Sequence, residues 1–137
     1  MNEINFYDKE RDLIMQFKDF QFLWIEEPKF VTFTGIVNFD FFNLETKFEA
    51  EEECDFKDFL LSLEKIYNRE QKYASFNPLS PKIRIELFED LGQIEVKVDI
   101  SNDLSTGNLQ FEYAIDQSFL PELIKEISAA LADINNK

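Results

Sequence analysis

Hydrophobic and polar positions alternate with a period of two over three consecutive stretches in the second half of the chain. Ile83, Ile85 and Leu87 alternate with Arg84, Glu86 and Phe88; Ile94, Val96, Val98 and Ile100 alternate with Glu95, Lys97 and Asp99. Leu109, Phe111, Tyr113 and Ile115 do the same with Gln110, Glu112 and Ala114. Successive side chains of an extended strand point to opposite faces, so the pattern predicts strands with one buried and one wet face. Leu91-Gly92 and the Ser101–Asn108 segment with Gly107 supply the turns, giving three sequential antiparallel strands. Upstream, Phe33, Val37, Phe39 and Phe41 share one parity around Gly35, which reads as a bulge. Leu44, Thr46, Phe48 and Ala50 then alternate with Glu45, Lys47, Glu49 and Glu51, completing another strand pair. Residues 4–7, 13–17 and 20–26 are also strand-like, with Trp24 read as a core aromatic near a turn at Pro28.

Two segments switch to a helical period. Phe56, Phe59, Leu60, Leu63, Ile66 and Tyr67 fall on one stripe, and Asp55 followed by Asp58 predicts an acidic N-terminal cap. Leu120, Leu123, Ile124, Ile127, Ala130, Leu131 and Ile134 form a second stripe. Asp116 or Ser118 is placed to cap it, and Pro121 falls in the first turn, where backbone N–H groups lack partners anyway. The expected fold is therefore α+β: an antiparallel β-sheet of about six to seven strands, with two amphipathic helices at about 55–70 and 118–134 packed on one face. No linker or internal repeat divides the 137 residues, so a single domain over 1–137 is expected.

Composition narrows the chemistry. There are 28 acidic and 14 basic residues, a formal net charge of −14, and 16 phenylalanines, so an acidic disordered chain is excluded by the aromatic content. The chain has no histidine, which removes Ser-His and Cys-His nucleophile pairs and His-ligated zinc. The acidity argues against nucleic-acid binding, which normally requires a basic patch. Neither a signal peptide nor an apolar stretch long enough to span a bilayer is evident, so no membrane association and a cytoplasmic location are expected. Cys54 is the only cysteine; its neighbours Glu52, Glu53 and Asp55 disfavour a thiolate, and it reads as a half-buried structural residue.

Candidate chemical motifs dissolve on inspection. The Asp99–Gly107 segment resembles a calcium loop, but Leu104 and Gln110 stand where glycine and glutamate are needed, so a hairpin loop of turn-forming residues is the better account. Gly35, Gly92 and Gly107 are too far apart to cradle a phosphate. With so many acids, carboxylate pairs at hydrolase-like separation arise by chance. No catalytic residue, metal or other cofactor is expected.

The run Glu49–Asp55 is the sharpest charge feature. It reads either as a solvated strand end leading into a helix or as a docking surface for a basic protein. Strand parity places Glu45, Glu49, Glu51 and Glu53 on one face, and Glu52 and Asp55 extend the same acidic run. Such a stripe accelerates association with a cationic partner and suppresses wrong ones. Leu61 lies on the polar side of the first helix and is a candidate interface anchor. An acidic interaction or regulatory domain fits these features, and a carboxylate-based hydrolase is a third reading.

The run Asp116-Gln117-Ser118-Phe119-Leu120, joining the last strand to the last helix, resembles the D-Q-[S/T]-[F/Y]-L junction of WapI-like immunity proteins. The Phe59-Leu60…Leu63…Tyr67 helix, Pro78 and Pro81, the Ile83–Leu87 strand, Gly92 and the Ile94–Ile100 strand are similar in order, so the likeness runs over about residues 40–131. The resemblance implies a bacterial, non-enzymatic protein, a monomer or weak dimer, that binds and neutralises a toxin domain. Toxins of this kind are often RNA nucleases and hence basic. Within the junction, Asp116 and Ser118 lie where a helix needs acceptors and Phe119 and Leu120 begin its apolar stripe, so a structural role is expected for these five residues.

Overall fold

The computed structural model describes residues 2–22, 29–39, 42–78, 82–101 and 107–135. The strands are β1 (Ile4–Tyr7), β2 (Leu13–Phe22), β3 (Phe30–Phe39), β4 (Phe42–Glu51), β5 (Tyr73–Phe76), β6 (Lys82–Asp90), β7 (Gln93–Ser101) and β8 (Asn108–Asp116). Helix α1 (Asp58–Tyr67) follows a π-helical turn at Glu52–Lys57, and α2 (Leu120–Asn135) follows a 3-10 turn at Gln117–Phe119. The class is α+β, but the strands form two four-stranded antiparallel sheets, β1-β2-β3-β4 and β5-β6-β7-β8, in place of the expected single sheet of six to seven strands. Alternation assigns each strand an apolar face without saying which strands share a sheet. Here the π turn and α1 separate β4 from β5, and the succession of hairpins starts afresh.

Strand β5, only four residues long, is too short to show a pattern, and it pairs with β6 from Tyr73↔Phe88 to Phe76↔Ile85. The strand-like stretches at 13–17 and 20–26 partly merge into β2. Lys18 pairs with Thr34 and Gln21 with Thr32, so Asp19 and Phe20 together oppose Phe33. Asp19 takes a left-handed conformation (φ 57°). This bulge reverses the parity of the strand and brings Phe20 to the core together with Phe17. The expected bulge at Gly35 is absent: Gly35 pairs in regular register with Phe17 and Thr46. Trp24, Pro28, Phe41, Pro81 and the centre of the Asp99–Gly107 loop lie outside the described residues, as does the side chain of Ile134.

The apolar faces of the two sheets and the helices enclose one core. Phe33, fully buried, meets Phe17, Phe20, Phe48, Phe56 and Phe76 with ring centroids 4.7–6.3 Å apart. Phe76, from the second sheet, also packs on Phe17, Phe56 and Phe59. Farther along, Phe39 stacks on Phe111 at 4.8 Å. The helices touch each other; α1 lies beside the edge strand β5, and α2 beside the edge strand β1 and its neighbour β2.

Phe56, Phe59, Leu63 and Ile66 are buried as their stripe predicts, whereas Tyr67, at the last turn of α1, is exposed. The expected Asp55 cap is also corrected. The helical stretch begins three residues earlier, at Glu52, and the Asp55 carboxylate reaches back to accept the Glu51 N–H at 2.7 Å. At the other end of α1, the Glu70 N–H donates to Lys65 and the Arg69 N–H to Ile66, with Arg69 left-handed at φ 62°. Helix α2 buries Leu120, Leu123, Ile127, Ala130 and Leu131. Its Glu126 carboxylate accepts both the backbone N–H (2.8 Å) and the side-chain amide (3.1 Å) of Asn5, covering the outer edge of β1.

Gly35 is required by packing. A Cβ at this position would stand 2.5 Å from Cε2 and 3.0 Å from Cδ2 of Phe48. The Phe48 ring is buried and stacked on Phe33, so it cannot swing aside. Replacing a strand glycine by alanine ordinarily helps by reducing unfolded-chain entropy. For Gly35→Ala we instead expect a loss of about 1–3 kcal/mol in urea unfolding, the usual cost of overpacking. A variant as stable as the wild type would show that the Phe48 ring has room to move.

Candidate functional site

Strand β4, an edge of the first sheet, carries the predicted acidic stripe into the π turn. Glu45 and Glu49 are exposed on its outer face, Glu51 is half-buried, and Glu53 is exposed on the turn. Lys47 lies between Glu45 and Glu49 on that same face, so the stripe is not continuously acidic. Lys57 Nζ binds Glu53 Oε1 at 2.7 Å and Glu52 Oε1 at 3.3 Å, drawing part of the charge into local pairs.

Glu52 leaves the surface altogether. It is 1% exposed, and its Oε2 has no hydrogen-bond partner among the described residues. Its position continues the inward parity of Phe48 and Ala50, and one wide π-helical turn later Phe56 is buried as well. The Glu52 N–H donates to the Lys29 carbonyl at 2.9 Å, fixing the start of the turn. Asp55 is half-buried, and burial, reinforced by the charges of Glu51 and Asp58, pushes its carboxyl above the usual range against the opposing Glu51 N–H bond. Leu61 is 52% exposed on the outer side of α1.

Cys54 is exposed, not half-buried as its surroundings had implied, because the π turn directs it outward. Its Sγ donates to Glu51 Oε1 at 3.4 Å. That hydrogen bond, then the charge of Glu51, and more weakly Asp58 and Asp55, push the thiol up.

The Asp116–Leu120 junction is bound up in internal contacts. Asp116 Oδ1 accepts the Ser118 N–H at 2.9 Å and also the Ser118 hydroxyl, and these two donors hold its carboxyl below the usual range. The Gln117 amide reaches the Ile66 carbonyl at the end of α1, at 3.5 Å. The Arg11 guanidinium lies 4.3 Å from the Phe119 ring centroid and 3.8 Å from Glu122, and Leu120 is fully buried. The junction thereby links β8 to α1, to α2 and to the turn between β1 and β2.

One surface escaped the sequence reading. Tyr73 and Phe88 are both exposed on the outer face of the second sheet, their rings 5.1 Å apart, and Leu91 protrudes from the adjoining hairpin. The signal available was parity, which puts Phe88 on the same face as Arg84 and Glu86. Among the described residues no helix is long and apolar enough to cross a membrane, and no group of three or more cysteines and carboxylates is arranged to hold a metal ion.

In comparison with known proteins, residues 5–135 fit the family model described as Immunity protein WapI-like family. The match reaches past the 40–131 likeness into β1 and to the end of α2. No curated protein and no solved structure matches the chain.

Cys54 serves as a reporter of the local potential. A thiol pushed up carries less thiolate at neutral pH, and the thiolate is the reactive form. Alkylation of Cys54 should therefore be slower than that of a free cysteine peptide at pH 7.5, with its pH midpoint above the ordinary thiol value. Glu51→Gln should speed it several-fold by removing the charge and leaving the thiol only a weaker, neutral amide acceptor. Equal rates in wild type and variant would show that Glu51 does not control the thiol.

Proposed function

The chain belongs to the WapI-like immunity protein family, and from that premise we propose that it is a cytoplasmic, non-enzymatic inhibitor that holds a basic cognate toxin domain, an RNA nuclease, in an inactive complex. Membership itself points to toxin neutralisation and, for the family in general, to a protein that does no catalysis. The observation that carries the reading is the extent of the family match, residues 5–135.

Electrostatics support the finer statement. A nuclease surface must attract phosphate and is cationic, and an inhibitor of formal charge −14 is drawn to it from a distance without contributing any reactive group. The exposed carboxylates Glu45, Glu49 and Glu53, with half-buried Glu51 between them, form the part of that charge organised along one edge. Lys47 and the Lys57 pairs dilute it, so its role is to steer the encounter; contacts made at short range, with Leu61 one candidate, set the residence time. In this reading the free protein is a monomer or weak dimer.

The test starts from the adjacent open reading frame, whose product should be a large secreted protein ending in a small basic domain. Expressing that domain in a bacterial host should arrest growth, and co-expressing this chain should restore it. Failure to restore growth, together with no complex on size exclusion, would overturn the reading. Replacing Glu45, Glu49, Glu51 and Glu53 together by Gln should lower the association rate about tenfold at low salt. The deficit should shrink as the Debye length falls from about 10 Å at 0.1 M to about 3 Å at 1 M salt. Stopped-flow association across a salt series measures both; an unchanged rate and salt slope would reduce the stripe to a solvated strand face.

A further inference from the structure

The hairpin between β6 and β7 turns through Leu91 and Gly92, both at positive φ (53° and 85°). This hand of turn suits the twist of the flanking strands and is ordinarily built from Asn-Gly or Asp-Gly, since a larger side chain crowds its own backbone there. Leu91 is also 94% exposed, so burial within the chain offers no compensation for the conformation it holds. Everything else about the turn is well made. The Gly92 N–H donates to Glu89 Oε1 at 2.9 Å, and Asp90 and Gln93 close the register. Two local preferences are broken at a single residue with no return inside the fold, the pattern expected where a residue serves a partner.

The surroundings suit an interface. Tyr73 and Phe88 are cross-strand partners, 42% and 37% exposed. The Tyr73 hydroxyl donates to Glu86 at 2.7 Å, and Lys97 lies 5.3 Å from the centre of the Phe88 ring. Aromatic side chains held in this way lose little freedom on docking and make strong anchors. With Leu91 they account for three of the seven exposed large hydrophobic side chains among the described residues, gathered at one end of the second sheet. The carboxylates Glu89 and Asp90 immediately precede the tip and offer charge to a cationic partner, while Arg69 and Lys72 share the hollow beside Leu91 with Glu70 and Glu89 and give the rim both signs of charge, as interface rims have.

We propose that this end of the second sheet grips the toxin domain: Leu91 enters an apolar recess, Tyr73 and Phe88 pack beside it, and Glu89 and Asp90 face the basic rim. The proposal rests on the immunity reading and divides the work within it, the β4 edge steering the encounter and the hairpin holding the complex. Leu91→Asn separates the two roles, because asparagine fits the turn and removes the knob. The thermal midpoint of the variant should equal or exceed that of the wild type. Its dissociation from the basic domain encoded by the adjacent reading frame should be about tenfold faster or more, with association rate and salt slope unchanged. Leu61→Asn, on the outer side of α1, tests the other candidate for the short-range contact; faster dissociation in that variant with none in Leu91→Asn would place the grip on α1 and overturn the hairpin proposal. If the wild type binds and Leu91→Asn dissociates at the same rate, the hairpin proposal fails and the immunity reading stands. A lower thermal midpoint for Leu91→Asn would make Leu91 a structural residue and overturn the proposal as well. If the wild type does not bind that domain, both fall together.

Discussion

Phe33 is the point through which the two halves of the molecule are held together. Each sheet has one apolar and one polar face, and neither can stay folded in water with its apolar face uncovered. The faces cover each other, and the contact runs through a chain of rings: Phe48, Phe33 and Phe17 from the first sheet, Phe56 from the π turn, Phe76 from the second. Burying a side chain of this size contributes roughly 1.5–3 kcal/mol, and edge-to-face or offset packing adds to that. Several other features follow from accommodating these rings. Gly35 lacks a side chain because the Phe48 ring occupies the space, and the bulge at Asp19 exists in a strand that must present both Phe17 and Phe20 inward.

Enclosing the core leaves strand edges and connections to be managed. The β1 edge is covered by α2 through Glu126, and the Asp116–Leu120 junction sets where that helix starts. Among the described residues, the β4 and β8 edges each have a strand neighbour on one side only. On β4, the charged side chains of Glu45, Lys47 and Glu49 discourage a second sheet from adding there, which is how natural edge strands avoid aggregation. The same charges that protect an edge are available to attract a cationic partner, so solubility and recognition draw on one set of residues.

Charge and shape then act over different distances. An exposed carboxylate is felt across a Debye length and influences how often partners meet. An exposed leucine or aromatic ring acts only on contact and influences how long they stay together. The polar face of the second sheet combines both kinds of group, with Arg84 reaching Glu86 along its own strand at 3.4 Å and Asp99 on the neighbouring strand at 3.7 Å. Exposed pairs of this kind add little to stability, and their effect is to hold side chains in place around Tyr73 and Phe88.

The amino-acid sequence by itself determined the local geometry of much of the chain. Alternation in β6, β7 and β8 assigned Ile85, Val96 and Phe111 to the core and located the Leu91-Gly92 turn, because side-chain direction along a strand depends only on neighbouring residues. The stripe of α2 was legible for the same reason, and the Asp116–Leu120 run was distinctive enough to resemble its family. Of the candidate surface, the exposed Glu45, Glu49 and Leu61 were legible, while Tyr73, lying on a four-residue strand, was not. Glu52 shares the parity of Phe48 and Ala50, yet among so many carboxylates it read as solvated; its burial at the start of the π turn is a feature of the folded chain. Which strands share a sheet, and which side chains that leaves in water, was decided by the tertiary structure alone. Those outcomes depend on packing between segments far apart in the chain, where the energy of contact is set against the entropy of closing the loops between them, and local periodicity carries no record of that balance.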